Sequence, residues 1–198
     1  MAEQLINVSC VGDSITAGYG IEDWNDIYPK QLNHLLGSKY EVNPYLGRSG
    51  AAVWRQSPLP YVTTPQYNKA KSLNADILVV CLGSNDTVNQ ITDTFRREFI
   101  EDYCKLLAEL IEKSSEAKTY ICRVPPIFGK ENAPFAKVVP EINKLIEEVA
   151  SSSCASLIDL NTPFASREDL FSDGIHPNEA GARLIAETIY NALTKDPK

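Results

Sequence analysis

Apolar residues fall into two kinds of pattern along the chain. The first is short runs rich in β-branched and aromatic residues, at 5–11, 41–46, 76–82, 118–124 and 156–160. The run Ile77-Leu78-Val79-Val80-Cys81-Leu82 is apolar without alternation. A strand of that kind is covered on both faces, as in a parallel sheet held between layers of helix. The second pattern is helical spacing, at 27–36, 94–113, 140–150 and 179–193; in the second of these Phe95, Phe99, Tyr103, Leu106, Leu107, Leu110 and Ile111 share one stripe. Strand and helix alternate, which predicts an α/β fold, a three-layer α/β/α sandwich around a five-stranded parallel sheet. Segment 48–74 breaks the rhythm. Pro58, Pro60 and Pro65 leave it an extended loop with at most a short helix, and loops of that length usually carry function.

Composition adds limits to this picture. With 198 residues, 43% of them hydrophobic, the chain has material for one sizeable core, and no repeat or linker divides it, so residues 1–198 are expected to form a single domain. The formal charge of -7 gives a negative average field, which argues against nucleic acid and acidic lipid as partners. No stretch approaches the roughly 20 apolar residues of a membrane span. The start, Met1-Ala2-Glu3-Gln4, lacks the basic residues and apolar run of a secretion signal. A cytoplasmic protein is expected, or a periplasmic or secreted one if a signal peptide has been removed. Of five cysteines, Cys10, Cys81 and Cys122 lie inside strand-like runs and suit buried free thiols; no CxxC pair or Cys/His cluster suggests a metal.

Parallel sheets bind ligands beyond the carboxyl ends of their strands. There the sequence reads Gly12-Asp13-Ser14-Ile15-Thr16, Gly47-Arg48-Ser49-Gly50 and Gly83-Ser84-Asn85-Asp86, with Asp173-Gly174-Ile175-His176-Pro177 before the last helix, where Pro177 suits the first helical turn. Acyl transfer needs an activated hydroxyl, a base, a carboxylate that orients the base, and donors for the oxyanion. One set fits. Ser14 is the candidate nucleophile, His176 the base and Asp173 its partner, while the amides of Ser14 and Gly47 and the side chain of Asn85 are the candidate oxyanion donors. His34, the other histidine, lies in a predicted helix with no carboxylate in its own segment. Asp13, Arg48 and Trp54 are candidate substrate contacts, with Trp24 and Arg55 on neighbouring loops, although Asp13 has an economical structural use within its own turn and the tryptophans could equally pack. The charges of the long central helix, Arg96, Arg97, Glu98 and Glu101, read as a solvated face.

Taken singly, these fragments have plainer uses, Ser14 as a helix-start serine and Asn85 as a turn residue. Taken together and in order, GDSIT, GSND and DGIHP resemble the SGNH hydrolases, also called the GDSL family, over residues 12–177. The resemblance implies a flavodoxin-like fold and metal-free, cofactor-free hydrolysis of esters or thioesters. It assigns Ser14 as nucleophile, Gly47 and Asn85 to the oxyanion site, and Asp173 with His176 as the remaining catalytic pair. Two positions depart from the family: Ile15 stands for its Leu, and Tyr45 stands where Asn is often found before the second-block glycine. Loop aromatics and the lack of a long apolar lid favour short acyl groups, with acetyl esters of carbohydrates as the expected substrate. Lysophospholipids or acyl thioesters are the alternative. A third reading, from a different class, is a flavodoxin-like module holding a phosphate or flavin in the Gly12 to Thr16 loop.

Overall fold

The computed structural model describes residues 5–114 and 116–195; the Met1–Gln4 start lies outside them. Five parallel strands form one sheet: β1 (Ile6–Gly12), β2 (Tyr40–Asn43), β3 (Ile77–Cys81), β4 (Lys118–Arg123) and β5 (Ser156–Asp159). Their order is β2-β1-β3-β4-β5. Connections leave β1 toward one edge and return at β3 to build the other side, so the cleft between the ends of β1 and β3 is the topological switch point, where this architecture binds its ligands.

Helices cover both faces. The helices α2 (Tyr28–Leu36) and α7 (Glu179–Lys195) pack on one, closing over Val8, Cys10, Val79, Cys81, Tyr120, Cys122 and Ile158. The other face carries α3 (Pro65–Ser72), α4 (Asp93–Leu110) and α6 (Val139–Ser153), over Val11, Leu78, Val80 and Ile121. Alternate residues of β3 therefore enter different cores, which explains its unbroken apolar run. Two one-turn helices complete the set, α1 (Ser14–Ala17) and α5 (Ala133–Ala136). No helix among the described residues is long and apolar enough to cross a membrane.

The second strand is shorter than the 41–46 expected. Pro44 has no amide to give to a ladder, so regular pairing stops at Asn43, and the chain rejoins β1 only through an isolated bridge between Gly12 and Gly47. Loop 48–74 contains one short helix, α3, started by Thr64, whose hydroxyl accepts from the Tyr67 amide at 3.2 Å. Pro177 lies just outside α7 rather than in its first turn. Asn178 caps that helix, its Oδ1 accepting from the Gly181 amide at 3.0 Å.

Candidate active site

The first strand runs into a turn with no spare room. A Cβ at Gly12 would fall 1.9 Å from Thr16 Oγ1 and 2.7 Å from the Cys81 carbonyl, so only glycine lets α1 press onto the sheet edge. Asp13 follows, and its Oδ1 accepts from the Ile15 amide at 3.0 Å, capping the helix. Ser14 is the first residue of α1, so its own amide lacks an intrahelical partner. Gly18 ends α1 in the left-handed conformation, φ 76°, and the next amide, of Tyr19, donates to the Ser14 carbonyl at 2.9 Å.

His176 arrives from the far end of the chain. Its Nε2 lies 3.0 Å from Ser14 Oγ across a sequence separation of 162 residues, and its Nδ1 lies 2.7 Å from Asp173 Oδ2. With Nδ1–H donating to the carboxylate, Nε2 carries the lone pair that faces the serine hydroxyl. The other oxygen of Asp173 accepts from the amides of Ile175 and His176, at 2.9 and 2.7 Å. Burial pushes the Asp173 carboxyl up, but the hydrogen bonds from the His176 ring and those two amides outweigh it and hold the group below its usual range. Loop 128–132 braces this segment: Phe128 donates its amide to the Gly174 carbonyl at 2.8 Å, and Asn132 Nδ2 donates to the Asp173 carbonyl at 3.1 Å.

Gly47 and Asn85 stand on either side of this nucleophile turn. Gly47 is bridged to Gly12, and the Arg48 amide donates to the Gly12 carbonyl at 2.9 Å. A Cβ at Gly47 would lie 2.3 Å from the Ala17 nitrogen, so an alanine there would push the nucleophile helix away even though it keeps the amide. Asn85 follows β3 in a 3₁₀ turn, half-buried, and one of its two Nδ2 hydrogens goes to the Ala51 carbonyl at 2.9 Å. The second hydrogen has no partner among the described residues and can meet a ligand. Among the described residues, no group of three His, Cys, Asp or Glu converges to hold a metal ion.

The three candidate substrate contacts separate. Arg48 is exposed next to Gly47 at the sheet edge. Asp13 is 1% exposed and takes the structural use its turn offered, and burial raises its carboxyl to about 6 against the opposing bond from the Ile15 amide. Trp54 is likewise taken up in packing, its ring 5.3 Å from Phe95 and its Nε1 donating to Glu98 at 2.9 Å. Arg55 pairs with Asp102 and Glu109. Trp24 remains exposed, stacked on Tyr45 at 5.5 Å. His34 is exposed on α2.

The solvated-face reading of α4 holds for the exposed pair Arg97–Glu101 and fails for Glu98, which accepts from both Trp54 and Gln56. Together with Asp102 and Glu109 it forms an acidic stripe that clamps loop 53–56, and the spacing of 98, 102 and 109 on one helical face was a signal available in the sequence. Two further residues escaped sequence reasoning. Asp86 is fully buried and accepts from the amides of Val53 and Trp54 at 2.9 and 3.0 Å. Tyr19 lies with its ring 4.4 Å from that of His176. Neither contact is local in sequence, and no motif announces it.

A five-stranded flavodoxin-like sheet with this cluster at its switch point defines a class of α/β proteins, and comparison with known proteins gives it a family. Residues 10–184 match the GDSL-like lipase/acylhydrolase family, and the chain belongs to that family. It is 30% identical over 210 residues to an acetylxylan esterase of Xylanibacter ruminicola, an alignment that takes in 96% of this chain and 44% of that protein. The chain thus spans less than half the length of that relative. Its fold is similar to that of an aryl esterase of M. smegmatis (TM-score 0.74, 18% identity, 96% of this chain and 99% of that one). It is also similar to a carbohydrate acetylesterase from Sinorhizobium meliloti (TM-score 0.72, 18% identity, 96% and 99%).

Proposed function

We propose that the chain is a serine esterase that hydrolyses short-chain, chiefly acetyl, esters of carbohydrates through an acyl-enzyme. The observation that carries the chemistry is the relay of 3.0 Å from Ser14 Oγ to His176 Nε2 and 2.7 Å from Nδ1 to Asp173. His176 takes the hydroxyl proton as Ser14 Oγ bonds to the ester carbonyl carbon. The oxyanion that develops is met by the amides of Ser14 and Gly47 and by the second Nδ2 hydrogen of Asn85. Breakdown of the tetrahedral adduct breaks the carbon–oxygen bond to the alcohol, which leaves with the proton held on Nε2. Water, deprotonated by the same nitrogen, then attacks the acyl-serine and releases the acid. Asp173 holds the ring in the tautomer this sequence requires and stabilises the imidazolium.

The preference for acetylated sugars draws support from the acetylxylan esterase relative and from the exposed aromatic ring of Tyr19 beside His176. The phosphate- or flavin-holding alternative has little support in this geometry. The Ile15 amide, which such a ligand would need at the start of α1, is already occupied by the Asp13 carboxylate.

Ser14→Ala tests the nucleophile. Turnover of p-nitrophenyl acetate should fall by at least about 10³-fold, with the folded structure intact. A fluorophosphonate should label the native protein and leave the variant unlabelled; retained turnover in the variant would refute the assignment. Activity that climbs steadily from acetyl to long acyl esters would shift the substrate to lipids or thioesters.

A further inference from the structure

Tyr19 is held beside the candidate base by its backbone rather than by its side chain. The turn that ends α1 uses Gly18 at φ 76° and Gly20 at φ 83°, and the Tyr19 amide between them donates to the Ser14 carbonyl at 2.9 Å. A side chain at Gly18 would collide with Ile27 Cγ2 at 2.1 Å, so the reversal is tied to glycine there. The chain folds back, and the Tyr19 ring lies against the His176 ring with centroids 4.4 Å apart and planes tilted by 42°. The imidazole side chain is 17% exposed, whereas Tyr19 is 56% exposed. One side of the tyrosine thus covers the base and the rest of the ring faces open solvent.

The chemistry decides what must come to that open side. When the tetrahedral adduct collapses, the proton on Nε2 passes to the departing alcohol oxygen, which has to sit within hydrogen-bond reach of that nitrogen. An aromatic ring packed at a tilt against the same imidazole then borders the space beside Nε2 in which that alcohol has to sit. Water, which takes the place of the alcohol in the second half of the reaction, is too small to use the wall. We propose that Tyr19 is the alcohol-side specificity residue, an aromatic wall on which the pyranose ring of an acetylated sugar rests its C–H face while its ester oxygen meets His176. This deepens, and rests on, the serine-esterase reading above.

The two possible jobs of Tyr19 separate kinetically. A wall for the alcohol acts in acylation alone and only for alcohols with a ring face; a prop for the imidazole acts in both half-reactions and for every ester. Tyr19→Ala and Tyr19→Phe should be compared with the native chain on a peracetylated methyl glycoside and on ethyl acetate. The hydrolysis of acetyl-enzyme, formed by rapid mixing with p-nitrophenyl acetate, should be timed separately. For Tyr19→Ala, kcat/KM on the glycoside is expected to drop about 10-fold, the size of one aromatic contact, while ethyl acetate and acetyl-enzyme hydrolysis stay within about twofold. Tyr19→Phe keeps the ring and should retain glycoside activity. Equal losses on both esters with slowed acetyl-enzyme hydrolysis would make the ring a prop and overturn the proposal, as would unchanged glycoside kinetics in Tyr19→Ala. A native chain that cleaves ethyl acetate and not the glycoside overturns the sugar wall and leaves the serine mechanism standing. A native chain that cleaves neither overturns both.

Discussion

Asp13 and Asp86 are buried carboxyls within the turns that present Ser14 and Asn85, and among the described residues neither is paired with an Arg or Lys. Burial raises them to about 6 and about 7. A carboxyl raised on folding binds its proton more tightly in the native state, so its contribution is favourable below the unfolded pKa and is lost as pH climbs through the folded one. For Asp13 the window runs from near 3.8 to about 6, and its ionisation withholds up to about 3 kcal/mol above that window. Asp13→Asn keeps an oxygen for the Ile15 amide and removes the charge. Thermal melts should therefore show the variant gaining on the native chain between about pH 4 and pH 6 and staying ahead at higher pH. Parallel melting curves across that range would remove Asp13 from the account. The sequence made the neighbours of Asp13 readable as catalytic candidates because their types and order are unusual. It could not show that Asp13 itself points inward, since burial is decided by how closely Gly12 and Gly47 let α1 approach the sheet.

At the scale of elements, the loop after Gly47 is a docked structure rather than a free one. Asp86 takes the Val53 and Trp54 amides, Asp102 takes the Arg55 amide at 2.8 Å, and the Ala51 carbonyl in turn holds Asn85. Asp86→Ala leaves one buried and one part-buried amide without acceptors, a loss of about 2–4 kcal/mol that a lowered urea midpoint would register. It should also lower kcat more than it raises KM, because Asn85 loses the backbone that aims it. Unchanged kcat in a destabilised Asp86→Ala protein would mean that Asn85 is positioned by its own turn. The apolar periodicity of α4 and α7 was legible because their stripes face one core each. Glu98 departs from the solvated face expected of it because a carboxylate facing a loop and one facing water look alike in sequence. The early end of β2 follows from Pro44, a local signal that the apolar count of the 41–46 segment overrode.

For the whole molecule, unbroken strand runs implied a sheet covered on both faces, and the order β2-β1-β3-β4-β5 realises this by sending alternate β3 residues to different cores. The same arrangement fixes where the thiols lie. Cys10, Cys81 and Cys122 belong to the face covered by α2 and α7, at 0%, 9% and 1% exposure, whereas Cys104 is half-buried and Cys154 exposed in a left-handed turn. Burial also raises the Cys10, Cys104 and Cys122 thiols, which starves them of the reactive thiolate. Ellman's reagent should accordingly titrate Cys154 promptly and Cys104 slowly in the native protein, and all five cysteines only in concentrated guanidinium. The reaction of the last three would then report how readily the sheet face beneath α2 and α7 opens. Prompt native reaction of all five would mean that α2 and α7 part from the sheet easily, and a mouth that depends on α1 lying tight between β1 and β3 could not keep its 3.0 Å serine–histidine contact.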